Sequence, residues 1–196
     1  MESGREAIRR EVAALAARLI ADSGLDYGSA KAKAARQVFG AHAPKGSLPD
    51  NDAIDAALRE HLELFDDAHG ARVERMRDVA LDLMQRLAAF HPLVTGAAWK
   101  GIAAEHAPVH LQLFHDNAKE VEYWLLDHRI DFEVGTMPHF RGPGEVEALG
   151  LYWNDIPVML TLYAGDDLRG ALRSAGVGTA ERGDRDALAA RAEAQA

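Results

Sequence analysis

Residues 93–114 read LVTGAAWKGIAAEHAPVHLQLF, and this stretch decides the fold class. It holds two apolar runs, Leu93–Thr95 and Val109–Phe114, separated by a small-residue segment that Gly96 and Gly101 punctuate. In the second run Val109, Leu111 and Leu113 alternate with His110 and Gln112. A period of two is that of a strand whose successive side chains point to opposite faces. At Thr95-Gly96 the chain can turn sharply and bring its backbone close to a ligand, because glycine tolerates positive φ and carries no Cβ. The expectation is two neighbouring strands of one sheet, with His110 and Gln112 on a shared face beside a glycine turn.

Upstream of this stretch the period is helical. Ile8, Val12, Leu15, Leu19 and Ile20 predict a helix over about 4–22, and a second follows over 28–39 with Gly40 as its stop. The loop AHAPKGSLPD breaks regular structure. Ile54, Leu58, Leu62 and Phe65 share the face of a third helix. After an interruption at 66–70, Val73, Met76, Val79, Leu83 and Leu87 build a fourth that ends before Pro92. Downstream, Asn117 caps a helix to about residue 128, residues 130–137 read as a strand, and 146–153 with 158–163 form a hairpin around Asn154-Asp155. A last helix covers 168–173. The fold class is therefore α+β: an N-terminal helical segment, then a mixed sheet of about five strands with flanking helices. The predicted organisation is a helical segment over 1–91, an α/β domain over 92–173, and a peripheral or mobile tail over 174–196.

The chain has 196 residues, a net charge of −9 and no cysteine. A disulfide framework, a zinc–thiolate site and a cysteine nucleophile are thereby excluded. Between Glu105 and Asp167 stand 12 Asp and Glu against Lys119, Arg129 and Arg141, so the acidity lies in the sheet region. Tight nucleic-acid binding needs clustered cations, which that region lacks. No apolar run is long enough to span a membrane, and MESGREAIRREV has no apolar core of a secretory leader, so a cytoplasmic protein is expected.

Several patterns bear on chemistry. Two-metal phosphoryl transfer needs carboxylates at i and i+2 on a strand to share hard cations such as magnesium. Asp131 with Glu133 and Glu145 with Glu147 have that spacing. Gly96 and Gly101 have the glycine spacing of a P-loop, but Ile102-Ala103 follows instead of a lysine and a hydroxyl. Lys100 can approach a phosphate from that turn, and Trp99 offers a ring for stacking. His106, His110 and His115 cluster in sequence, yet a straight strand holds the last two about 17 Å apart.

The stretch 93–114 also resembles the opening of the nucleotidyltransferase fold: an apolar strand, a Gly-Ser turn, then a strand with two metal-binding carboxylates. Gly96 and Ala97 stand where Gly-Ser is expected, while Pro108 and His110 stand where the carboxylates are expected. The whole chain is similar to a group of proteobacterial proteins predicted to be nucleotidyltransferase-like, some labelled muramate–alanine ligase. LDYGSAKAKAARQ, LPDN, VTGAAWKG, VHLQLF and DDLRGALR carry that likeness. The resemblance implies a degenerate member that binds a nucleotide-type ligand or a protein partner without catalysis. Gly96, Ala97, Trp99, Lys100, Gly101, His110 and Gln112 would form its site. The alternative is an active, magnesium-dependent enzyme moving a nucleoside monophosphate from an NTP to a hydroxyl. Asp131, Glu133, Glu145 and Glu147 would then replace the missing acids. The helical faces of 4–22 and 51–90 offer a docking surface for a protein partner or a second copy of the chain.

Overall fold

A computed structural model describes residues 2–40, 42–44, 46–173 and 181–194. Four helices come first: α1 (Glu2–Ser23), α2 (Tyr27–Phe39), α3 (Asn51–Phe65) and α4 (His69–Arg86). Then follow β1 (Leu93–Thr95), α5 (Gly96–Lys100), β2 (Val109–Phe114), α6 (Ala118–Asp127), β3 (Phe132–Pro138), β4 (Glu145–Trp153), β5 (Ile156–Tyr163), α7 (Asp167–Arg173), β6 (Arg182–Gly183) and α8 (Arg185–Glu193). The class is α+β with a mixed sheet, as the periodicities predict. Among the described residues no helix is long and apolar enough to cross a membrane.

The chain divides into two compact units. One comprises Met1–Arg72 with Ile102–His106, the other Val73–Gly101 with Ala107–Ala196. The helix-to-sheet change read from the sequence falls at residue 91, whereas the contact division falls inside α4. In the first unit, Val12, Ala16, Ala17, Ala30, Ala34, Ile54, Leu58 and Leu62 form an aliphatic core between α1, α2 and α3. Its many alanines let helix backbones approach closely. Tyr27 donates to Asp55 at 2.5 Å and ties α2 to α3. Asp66 ends α3 and accepts from the Ala68 amide, which accounts for the interruption between α3 and α4. Arg72 donates to the Ala103 carbonyl at 2.9 Å, and the Ala103 amide donates to His69 Nε2 at 3.3 Å. These two bonds hold the 102–106 loop in this unit.

In the second unit the strand order is β3-β4-β5-β2-β1-β6. β2 runs antiparallel to β1 and parallel to β5, while the other pairs are antiparallel. Laterally paired residues share a face, so the register sorts every side chain. Val94, Val109, Leu111, Leu113, Leu149, Leu151, Val158, Leu160 and Leu162 fall on one face, each at most 7% exposed. Helices cover that face. Trp153 of β4 points there and donates to Asp82 of α4 at 2.9 Å, and Glu147 points there towards Lys119 of α6. The opposite face carries Leu93, Thr95, His110, Gln112, Phe114, Met159, Thr161 and Tyr163. We call the two the helical and the polar face.

The sheet has six strands, not five. The extra one, β6, is two residues long and has no apolar run to reveal it. It pairs Gly183 with Val94 and Arg182 with Thr95. This corrects the expectation of a peripheral tail for residues 181–194; residues 174–180, 195 and 196 lie outside the described residues. Asp184 caps α8 by accepting from the Ala187 amide at 2.9 Å. Leu188 of α8 is fully buried. A Cβ on Gly183 would point to the helical face and lie 2.4 Å from the Trp99 ring. Gly183→Ala should therefore destabilise the protein by about 1–3 kcal/mol, the usual cost of overpacking. Urea unfolding of the wild type and the variant checks this; equal midpoints would mean that β6 is not docked.

Candidate functional site

Gly96 has φ +66°, in the region that favours glycine, and begins the single-turn helix α5. Gly101 ends that turn with φ +68°. The predicted glycine turn is thus a helical turn with a left-handed residue at each end. β1 and β2 are neighbours as expected, with Thr95 opposite His110 and Leu93 opposite Gln112. A Cβ on Gly96 would sit 3.7 Å from the His110 Cβ, so the turn packs directly against that imidazole. Gly96, His110 and Gln112 are therefore brought together on the polar face.

Trp99 is not part of this group. Its ring abuts Gly183 from the helical side, it is 4% exposed, and the Arg191 guanidinium lies 4.0 Å above it. Burial under a cation fills the role assigned to base stacking, so the stacking expectation is corrected. Ala98 is fully buried beside it, and its carbonyl accepts from Arg77 Nε at 3.1 Å. Ala97 and Lys100 are half-buried on α5.

The acidic candidates also separate. Glu145 and Glu147 belong to the alternation that points to the helical face, away from His110. Glu145 accepts from Thr136 at 3.3 Å. Glu147 sits with Glu122 and Lys119 of α6; its burial and the neighbouring Glu122 raise its carboxyl above the ordinary range. Lys119 donates to Glu122 and holds that partner low. Glu133 does share the polar face, in the row Arg182–Thr95–His110–Met159–Gly150–Glu133. Three strand spacings place it about 14 Å from His110. Asp131 precedes β3, beside Arg129, Tyr152 and Asn154. A shared ion between carboxylates about 4 Å apart has no place in this arrangement. Among the described residues no group of three His, Asp or Glu is set to hold a metal.

What remains on the polar face is uncharged or cationic. Burial alone lowers the His110 imidazole below its ordinary value, so it is neutral at pH 7. Gln112 is 6% exposed and, among the described residues, its Oε1 accepts no hydrogen bond. Thr161, its neighbour on β5, donates to the Leu111 carbonyl at 3.4 Å. Arg182 enters from β6 with its side chain 9% exposed; its Nη2 lies 3.6 Å from Glu181 Oε2, and its Nε and Nη1 have no hydrogen-bond partner among the described residues. A buried donor or acceptor left unpaired costs about 1–3 kcal/mol, and more when charged. Sequence reading found His110 and Gln112 by alternation; nothing marked Arg182.

An aromatic wall closes one end. Phe114 and Tyr163 stack at 5.3 Å, and Phe140 stands edge-on 5.0 Å from Tyr163. Phe140 is fixed from both sides, because His139 and Arg141 both pair with Asp167 of α7, at 3.3 and 2.8 Å. Burial works to raise the Asp167 carboxyl, but Arg141 and His139 together hold it below the ordinary range. At the other end, glycines 135 and 150 leave a shallow groove of about 160 Å³ with Met159, Ala148 and Glu133 along it.

Two outcomes follow. Gly96→Ala should cost about 1–2 kcal/mol, because an L-residue is forced into the left-handed region; thermal unfolding measures it. The lowered His110 value means that the fold binds the charged imidazole less well than the unfolded chain does. Stability is then complete above pH 6.5 and is lost as pH falls through the lower folded value. His69, also lowered by its burial, acts in the same direction. His110→Gln should remove only part of the acid-side slope in a series of melting temperatures from pH 7 to 5. No family model, no curated protein and no solved structure matches this chain.

Proposed function

We propose that this chain is a nucleotidyltransferase-like protein that binds a nucleotide-type ligand without catalysis. The observation that carries the reading is the pair His110 and Gln112. They stand on the strand beside the Gly96 turn, His110 at one of the two positions where the resemblance calls for a carboxylate, and they present a neutral imidazole and an amide oxygen that has no partner among the described residues. An acceptor on a buried, neutral surface suits the N–H edge of a base or the hydroxyl of a sugar. It does not suit three phosphates, whose charge would need metal ions to neutralise it. The acidic balance of the sheet region opposes a polyanion further. The relocated-acid enzyme loses support because its candidate carboxylates lie on the wrong face or about three strands away.

Calorimetry with adenosine, ATP and GTP, with and without magnesium, tests this on the wild type, Lys100→Ala and Gln112→Leu. Adenosine should bind independently of magnesium and lose at least fivefold in Gln112→Leu. Triphosphates should bind only in the millimolar range, about 4 kcal/mol. Tight, magnesium-dependent triphosphate binding would restore the enzyme. No binding of adenosine would leave a protein partner as the ligand of this face.

A further inference from the structure

We propose that Arg182 and Gln112 together form a recognition site for one acidic oxygen group next to a hydrogen-bond donor. Resting on the nucleotide reading above, this makes the ligand a nucleoside monophosphate rather than a triphosphate or a bare nucleoside.

The case begins with what Arg182 lacks. A guanidinium stays charged in proteins and carries five N–H donors in one plane. Here it lies 4.7 Å from the centre of the Phe140 ring. Stacking of this kind uses the flat face of the cation and leaves its in-plane N–H groups to find acceptors. Nε and Nη1 find none among the described residues. Nη2 lies 3.6 Å from Glu181 Oε2, beyond a good hydrogen bond, and that glutamate is 71% exposed. The charge is therefore held away from water with one long ion pair, to Glu181, and two nitrogens without an acceptor among the described residues. An anionic oxygen supplies what is missing.

Gln112 supplies the complement. Its Oε1 is an acceptor with no donor among the described residues, on the same face as Arg182 by register through Thr95 and Leu93. Both side chains border the cluster of Phe114, Phe140 and Tyr163. A ligand that accepts at Arg182 and donates at Gln112 satisfies both. Arg141, the other cation at the aromatic wall, is committed to Asp167, so Arg182 is the one positioned to meet an anion there. Its position is fixed rather than adaptable. Thr95 Oγ1 donates to the Glu181 carbonyl at 2.9 Å before it, and Gly183 after it is pressed to the Trp99 ring. With Arg141 paired to Asp167, the remaining donors of Arg182 suit one acidic group, and the acidic balance of the unit repels a chain of them.

The experiment uses the full chain as wild type, Arg182→Met and Arg182→Lys. Adenosine and adenosine 5′-monophosphate are titrated by calorimetry, and inorganic phosphate and acetate by thermal shift. Methionine keeps the packed stem without donors; lysine keeps the charge, and serves if the methionine variant does not fold. The wild type should bind the monophosphate at least tenfold more tightly than adenosine. That preference should vanish in Arg182→Met, with adenosine affinity unchanged, and shrink in Arg182→Lys. Phosphate should raise the melting temperature of the wild type but not of Arg182→Met, and a larger shift with acetate would assign the site to a carboxylate. Equal binding of adenosine and its monophosphate would overturn the anion site and leave the nucleotide reading standing. Arg182-dependent shifts by phosphate or acetate without nucleoside binding would keep the site and overturn that reading. Absence of any ligand effect, with a lower melting temperature for the ligand-free Arg182→Met, would make Arg182 a packing residue with water on its donors.

Discussion

The alternation shared by β2 and β5 is the constraint on which this unit rests. Val109, Leu111 and Leu113 meet Val158, Leu160 and Leu162 in parallel register, and all six are nearly inaccessible to water. A one-residue slip would turn these aliphatic side chains outward and drive His110, Gln112, Met159 and Thr161 under the helices. Burial of one full aliphatic side chain contributes roughly 1.5–3 kcal/mol, so the slipped register loses by a wide margin. The polar face is thus not chosen residue by residue. It is the remainder of a register that the helical face dictates.

That division also sorts charge. Acids that share a strand with the hydrophobic ladder, such as Glu147, point to the helical face, where Lys119 partly neutralises them. On the polar face the central rows hold a neutral histidine, an amide, a threonine and one guanidinium. Carboxylates stand at its margins: Glu133 on the edge strand, Asp167 beside His139 and Arg141, and Glu181 beside Arg182. An acidic protein therefore contains a face whose interior bears no carboxylate, and net charge alone would not suggest it.

The fold was legible to the extent that it is built from long periodic runs. The helices of the first unit, β2 and the β4–β5 hairpin all bury one face and leave the period in the sequence. Gly96 and Gly101 showed as breaks, although periodicity could not tell a loop from the helical turn between them. β6 left no trace, because two residues cannot show alternation and its pairing depends on β1, far away in the chain. Arg182 was invisible for the same reason. Trp99 was misread because an aromatic residue in a glycine-rich turn looks exposed in one dimension. Only the arrival of Gly183 and Arg191 from the chain's far end buries it. The separation of Glu145 and Glu147 from His110 follows from register, and register between distant strands is not written in either strand alone.

The unpartnered groups on the polar face also bear on how stability and recognition are balanced. Gln112 and Arg182 carry buried polar atoms without partners among the described residues, and replacing buried ionic groups by apolar ones is often neutral or stabilising. Keeping them lowers the stability of the ligand-free protein. The loss is tolerable because it falls on one face, while the aliphatic ladder on the other holds the register unaided. The same separation makes the site rigid: β2 sits between β1 and β5, and Arg182 is held between a bonded Thr95 and a crowded Gly183. In the site proposed above, a fixed backbone under donor and acceptor would reduce the ordering cost of binding.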